Sequence, residues 1–564
     1  MSPETIYING NVITVDERFS IVQAFAVNRG KFIAVGDNAS VDKLAGPATK
    51  FVDLKGATVT PGFIDTHPHT VAKYTRDLGR LPLYGVKSVA EILKLIGVEA
   101  GKSSPGTWIV TTAIGVPPDF FHLPESLVEK RWPTRAELDK AAPNNPVYIP
   151  VARTWTTPSL FNSAALARLG VARDTLDDAR MKIMRDSATG EPTGEIYGLD
   201  MYNRANTLRP KLLSMLPPPQ SAEAQILAIK RAMADNLAVG VTTIYEGHTT
   251  QPAFLDFLRK MRASGDMINR TVYAHEVPVG RSISEIDAWM EGLKAAENTG
   301  DDLFKIEGVT VSVDGATQFG GALMNKPYLD PYGRSSNGES TVSTGKLTDI
   351  GRLAVKHGLR LNVQAAGDAA GDMTIAAFEA VNKETPIKDR QWLIQHFQHP
   401  SRDNISRLKA LGILATTYSN VDYSKGADTY VRRFPDQPEF WKRVVPLRWW
   451  IDGGVVIAQG TDGDHIEPMF TIWESLVRID GRTGKSLLSP EKTITRAEAI
   501  QLYTINGAKI LKWDDRLGSI EPGKLADFVV MEKDILTVPM DEIRDTKVLM
   551  TVMGGIPVYG KVPN

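Results

Sequence analysis

The sequence predicts an α/β protein: a TIM-type (β/α)8 barrel carrying a small β-sandwich formed by both termini and a large insertion after its first strand. Three observations predict it. Short, doubly apolar runs alternate with helical patterns through the middle of the chain, both ends carry alternating runs around glycine turns, and residues 71 to about 219 break the rhythm.

At the start, "TIYINGNVITVD" sets two alternating runs around Asn9-Gly10, the pattern of a short hairpin, and "FAVNRGKFIAVG" repeats it. At the other end, "ADFVVMEKD" and "VLMTVMGGIPVYG" are again short strands, the latter with a Gly-Gly turn. A β-domain of residues 1–60 and 511–564 is therefore expected to close around a barrel of residues 61–510.

The barrel strands begin with "ATVTPGFIDTH" and continue as "GVTTIYEG", "INRTVYAHE", "GVTVSVDG", "LRLNVQAAGD", "QWLIQHFQH", "GILATTYS" and "GGVVIAQGTDG". Continuous apolar strands separated by helices imply a parallel sheet buried on both faces, and eight of them close a barrel. The helices agree. Ile226, Ile229, Met233 and Leu237 share one face of a helix starting near Ser221 and stopping at Gly240, and Thr495 with Glu498 forms a capping box before another. The insertion holds Trp108, Phe120, Phe121, Trp132 and Trp155 and leaves through Pro217–Pro219, which makes it either a lid over the site or a unit with its own core.

A chain of 564 residues exceeds one ordinary core, and 42% apolar with 23% charged residues is a globular composition. The net charge of −1 gives no electrostatic basis for binding nucleic acid or an anionic membrane. With no cysteine, a zinc site must use imidazole and carboxylate. The N-terminus lacks a signal-peptide pattern and no run reaches the roughly 18 to 20 apolar residues of a membrane helix. A cytoplasmic protein acting on a small molecule is expected.

In such a barrel, chemistry sits where strands end. His67 and His69 follow the first strand, Glu246 and His248 the second, His275 the third, Asp314 the fourth, Gln364 the fifth, His396 the sixth and Asp462 the eighth. Strand alternation would point His67 and His69 the same way. His122, His357, His399 and His465 have no such placement, and Asp314 before Gly315 reads as a structural loop residue.

These strand ends carry a resemblance. "PGFIDTHPH", "GTDG" at 460–463 and "LGSIEPGKLADFVVME" at 517–532 resemble signatures of the amidohydrolase superfamily. "PVYIPVARTWTTPSLFNSAAL" and "SATGEPTGEIYG" resemble its YtcJ-like branch, amidohydrolase family 3, which includes N-substituted formamide deformylases. The resemblance implies a metal-dependent hydrolase of amide or other C–N bonds. It makes His67, His69 and Asp462 metal ligands, Asp462 also a proton shuttle, and His396 a ligand or a group polarising the carbonyl. Dimerisation is a family expectation.

Two positions depart from the family pattern. Thr310 stands where many relatives carry a bridging carboxylated lysine, and Gln364 where they carry a histidine. Threonine forms no carbamate and an amide is a poorer ligand than imidazole, so one divalent ion is expected rather than two. Imidazole and carboxylate suit zinc, with iron and manganese as alternatives. Gln364, His396 or Glu246 would complete its coordination, while His248 and His275 would meet substrate or metal. Lys305 reads as exposed, not as a substitute bridge. The rival readings are a non-hydrolytic metal-dependent reaction on the same fold (isomerisation, decarboxylation or hydration) and a non-catalytic binding protein.

Overall fold

The computed structural model describes residues 2–115, 124–150, 158–177, 181–199, 208–248, 250–293, 299–330, 333–441, 443–463, 466–486 and 493–562. Its central feature is an eight-stranded parallel sheet in sequential order: Phe63–Asp65, Val241–Glu246, Arg270–Glu276, Phe304–Ser312, Leu361–Ala365, Leu393–His396, Leu414–Thr417 and Ile457–Gln459. All eight segments read from the sequence are present. Among the described residues no ladder joins the last strand to the first; individual bonds close that seam instead. Thr66 Oγ1 donates to Gln459 O (2.9 Å), Thr461 N and Oγ1 donate to the Asp65 carboxylate (3.2 and 2.6 Å), and Asp462 N donates to His67 O (2.8 Å). At this seam a Cβ on Gly460 would lie 2.6 Å from His67 N and Cβ, so only glycine lets the two ends approach.

The run read as one first strand is two. Thr58–Pro61 pairs with Phe528–Met531 in the terminal β-domain, and Phe63–Asp65 pairs with Val241–Glu246 in the barrel. Gly62 lies between them, where a Cβ would meet Thr242 Oγ1 at 2.3 Å. The Asn9-Gly10 pair likewise differs from expectation. Thr5–Ile8 belongs to a four-stranded sheet and Asn11–Ile13 to a six-stranded one, so the turn passes the chain between layers. By contrast Ala24–Asn28 with Lys31–Gly36, and Val548–Met553 with Ile556–Gly560, are hairpins, their two-residue turns all at positive φ as such turns require. Tyr7, Phe25 and Phe528 stack between the two sheets, with ring centroids 4.8 to 5.0 Å apart. The β-domain is tied to the barrel by a buried fork, Arg270 Nε and Nη2 on Asp527 (2.6 and 2.8 Å).

The Ser221-capped helix spans Ala222–Ala238 and the Thr495–Glu498 capping box opens Arg496–Leu502. The insertion has its own five-stranded sheet of Ile109–Val110, Val147–Ile149, Ser159–Phe161, Lys182–Arg185 and Pro192–Tyr197. Trp108 and Trp132 pack within its own apolar clusters, which favours the core reading for those two. Phe120, Phe121 and Trp155 lie outside the described residues. Lys305 is not exposed as read: its ammonium pairs with the buried Glu307 at 2.6 Å, near the start of the fourth strand. No helix among the described residues is long and apolar enough to cross a membrane.

Candidate metal centre at the barrel mouth

His67, His69, His248, His396 and Asp462 converge from both sides of the seam. Two sets of ligand atoms, His67/His69/His248 and His67/His396/Asp462, each lie within 4.8 Å of one another. His67 Nε2 is 3.0 Å from His396 Nε2 and 3.5 Å from Asp462 Oδ1, and His69 Nε2 is 3.2 Å from the same oxygen.

Strand alternation is not what gathers them. The first strand ends at Asp65, and His69, His396 and Asp462 all adopt left-handed backbone, φ 52°, 68° and 53°. Such conformations cost non-glycine residues about 1 to 3 kcal/mol each and collect at functional sites. At the sixth strand the left-handed turn lets two successive side chains serve the site: Gln395 reaches His67 and His396 faces the cluster.

Neighbouring groups fix the rings. Gln395 Nε2 donates to Gly247 O (3.1 Å), leaving Oε1 as acceptor for His67 Nδ1–H (2.5 Å); the lone pair of His67 is thus on Nε2, facing the cluster. Ser312 Oγ donates to Glu276 Oε1 (2.7 Å) and so accepts from His248 Nδ1–H (3.0 Å), which leaves the His248 lone pair on Nε2. His396 Nδ1 meets the Tyr418 hydroxyl at 3.0 Å.

Burial depresses the pKa of His67 and His248 well below the ordinary imidazole value and that of His396 to about 4, so these rings are neutral donors at neutral pH. Burial alone would raise the Asp462 carboxyl; the His69 hydrogen bond and the Lys425 ammonium outweigh it and hold the group ionised. Lys425 Nζ lies 3.8 Å from Asp462 Oδ2, and its side chain is 5% exposed.

The remaining expected residues divide. Glu246 Oε1 accepts from Val71 N (3.1 Å), at the start of the helix that His69 caps, so it braces the His69 segment. Asp314 accepts from Leu323 N, Ala366 N and Gly367 N at 2.8 to 2.9 Å, the structural duty its position suggested. Gln364 lines the cavity beside the cluster. His275, expected near substrate, is a correction: its ring packs on Tyr273 and on Trp289 of the helix Ile283–Leu293. The next residue, Glu276, lines the cavity, because neighbours on a strand face opposite ways. Sequence reasoning missed Gln395, Ser312, Glu276, Tyr418 and Lys425. Strand-end position could have found Tyr418 and Ser312; nothing in "YSNVDYSKG" marks Lys425.

His399 is buried, stacks on Phe440 (centroids 4.4 Å apart) and has no hydrogen-bond partner on either nitrogen among the described residues. His465 and His122 lie outside those residues. Burial lowers the His399 pKa to about 3 from 6.5. The unfolded chain therefore binds a proton that the folded chain refuses. This contribution is complete above pH 6.5 and is lost as pH falls towards 3, by up to ~1.4 kcal/mol per unit. His399→Phe keeps the stack and removes that titration, so its urea midpoint should fall less steeply than wild type below pH 6.5. Parallel profiles would show that the ring is not held neutral.

A cavity of about 590 Å3 opens over the cluster, lined by His69, His248, His396 and Asp462 together with Glu276, Ser312, Gln364, Gln398 and Tyr418. Among the described residues the insertion contributes Arg209 to it.

A model of the amidohydrolase family matches residues 50–559. The N-substituted formamide deformylase of Arthrobacter pascens is 27% identical over 563 residues, 99% of this chain and 98% of its own length. YtcJ of Bacillus subtilis (strain 168) is 26% identical over 578 residues, 99% of this chain and 100% of its own. The crystal structure of an uncharacterized metal-dependent hydrolase from Pyrococcus furiosus matches with a TM-score of 0.70 at 21% identity, over 94% of this chain and 100% of that one.

Proposed function

Because the chain belongs to the amidohydrolase family, we propose that it hydrolyses an amide or other C–N bond of a small molecule with water activated by one divalent ion held by His67, His69, His396 and Asp462. One observation carries the metal. The His67–His396, His69–Asp462 and His67–Asp462 ligand-atom separations, 3.0, 3.2 and 3.5 Å, are near the roughly 3.3 Å edge of a tetrahedron with 2.0 to 2.1 Å bonds, and the His67, His396 and Asp462 atoms lie within 4.8 Å of one another. Three imidazoles and a carboxylate favour zinc among the common ions. Thr310 offers no bridging carbamate, which supports one ion over two.

Such an ion acidifies water, from a pKa of 15.7 towards roughly 7, and polarises a carbonyl. The chain's own groups do the rest. Asp462, kept ionised by Lys425 and His69, accepts the proton of the attacking water at its carboxylate and passes it to the departing nitrogen, which leaves as a neutral amine. Gln395 and Tyr418 hold the His67 and His396 rings, and the Ser312–Glu276 pair holds His248 with Nε2 available to substrate or water. Glu246 keeps the His69 segment in place.

The formamide deformylase is the relative that suggests where to begin with substrates. A panel of N-aryl and N-alkyl formamides, acetamides, ureas and carbamates, assayed for released amine, should give turnover that chelator abolishes and zinc restores. Turnover only of non-hydrolytic substrates would put the isomerase, decarboxylase or hydratase reading first.

A further inference from the structure

We infer that Gln364 is a substrate-recognition residue whose side-chain oxygen accepts a hydrogen bond from the N–H of the scissile amide, which restricts the enzyme to amides bearing that hydrogen. This deepens the hydrolase reading and rests on it.

The orientation of the Gln364 amide is decided by its neighbour. Asp314 takes three backbone N–H groups, and its Oδ1 is also 3.3 Å from the Gln364 side-chain nitrogen. A carboxylate so surrounded is an acceptor, so the nitrogen of Gln364 must face it; the flipped amide would set two acceptors against each other. Oε1 is therefore the free end. It is buried and has no hydrogen-bond partner among the described residues, while the residue itself lines the cavity. Buried acceptors left without a donor are rare and costly, and the residue that carries this one lines the cavity over the cluster.

Its register places it well. Gln364 pairs across the sheet with Ser312, which holds His248, on one side and with Gln395, which holds His67, on the other. A carbonyl directed at the His67/His396/Asp462 cluster would have its nitrogen substituent nearby, and a secondary amide offers there the single donor that Oε1 lacks. A tertiary amide or an ester offers none.

The test compares formanilide with N-methylformanilide on the zinc-loaded full-length protein, as wild type and as Gln364→Met and Gln364→Glu, with metal content measured on each. Sites built to pair a polar group discriminate strongly against analogues lacking it. Wild type should prefer formanilide by at least about a hundredfold in kcat/KM. Gln364→Met should lose most of that preference with its zinc intact, and Gln364→Glu, which keeps an acceptor, should retain more of it. Equal handling of the two anilides by wild type overturns the inference alone, as does loss of zinc from Gln364→Met, which would make the residue a ligand. If neither anilide nor any other amide of the panel is bound or hydrolysed, the hydrolase reading fails and the inference falls with it.

Discussion

Purified without chelator, the protein is expected to carry about one divalent ion per chain by elemental mass spectrometry, and His67→Ala with His69→Ala is expected to carry none and to be inactive. His67 is the residue to remove because both ligand sets contain it. Its loss takes away the lone pair that Gln395 fixes on Nε2 and leaves His396 without its 3.0 Å neighbour. Gln395→Leu spares every ligand and should weaken binding about tenfold to a hundredfold through the ring it no longer orients. Two ions per chain would mean that a further group, Glu246 or Gln364, makes a second site. No ion, even after supplementation, would sink the metal-activated water and bring the binding-protein reading forward.

Asp462→Asn should lower kcat on any amide the panel identifies by about 10²- to 10⁴-fold, the usual range for removing a positioned acid-base group. The amide of asparagine cannot take the water proton. It also leaves the Lys425 ammonium, 3.8 Å from the present carboxylate, without that charge partner. Two effects are thus combined, and Lys425→Met separates them: it keeps the carboxylate and removes only the cation beside it, so its loss should be much smaller than that of Asp462→Asn. Turnover by Asp462→Asn within a few-fold of wild type, with the ion still bound, would falsify the shuttle role.

Barrel strands were legible because each is short, apolar on both faces and followed by a helical period, a pattern that survives without knowledge of neighbours. What failed was what depends on neighbours. Thr58–Pro61 and Phe63–Asp65 read as one strand because their division at Gly62 is set by the close approach of Thr242. Asn9-Gly10 has hairpin chemistry yet joins two sheets, since each flanking strand finds better partners elsewhere. Position along the chain singled out His67, His69, His396 and Asp462, and the fold brings these four together. Their direction does not come from strand alternation: left-handed backbone sets His69, His396 and Asp462, and alternation puts His275 against Trp289 of the helix Ile283–Leu293. Lys425 was illegible because a lysine on a helix reads as solvated, and only its packing against Asp462 says otherwise.

The open ladder between the eighth strand and the first bears on how the protein is made. Asp65 and Thr461, which sew that seam, stand 396 residues apart, and His67 and Asp462 lie immediately beyond them. A growing chain holds His67 and His69 from early in synthesis, but the carboxylate opposite them emerges only after nearly the whole barrel has left the ribosome. On the proposed ligand set, metal loading would be a late event in biogenesis. A truncated or half-translated chain would present an isolated histidine pair without its opposing carboxylate, so capture of the proposed ion would report that the barrel has closed.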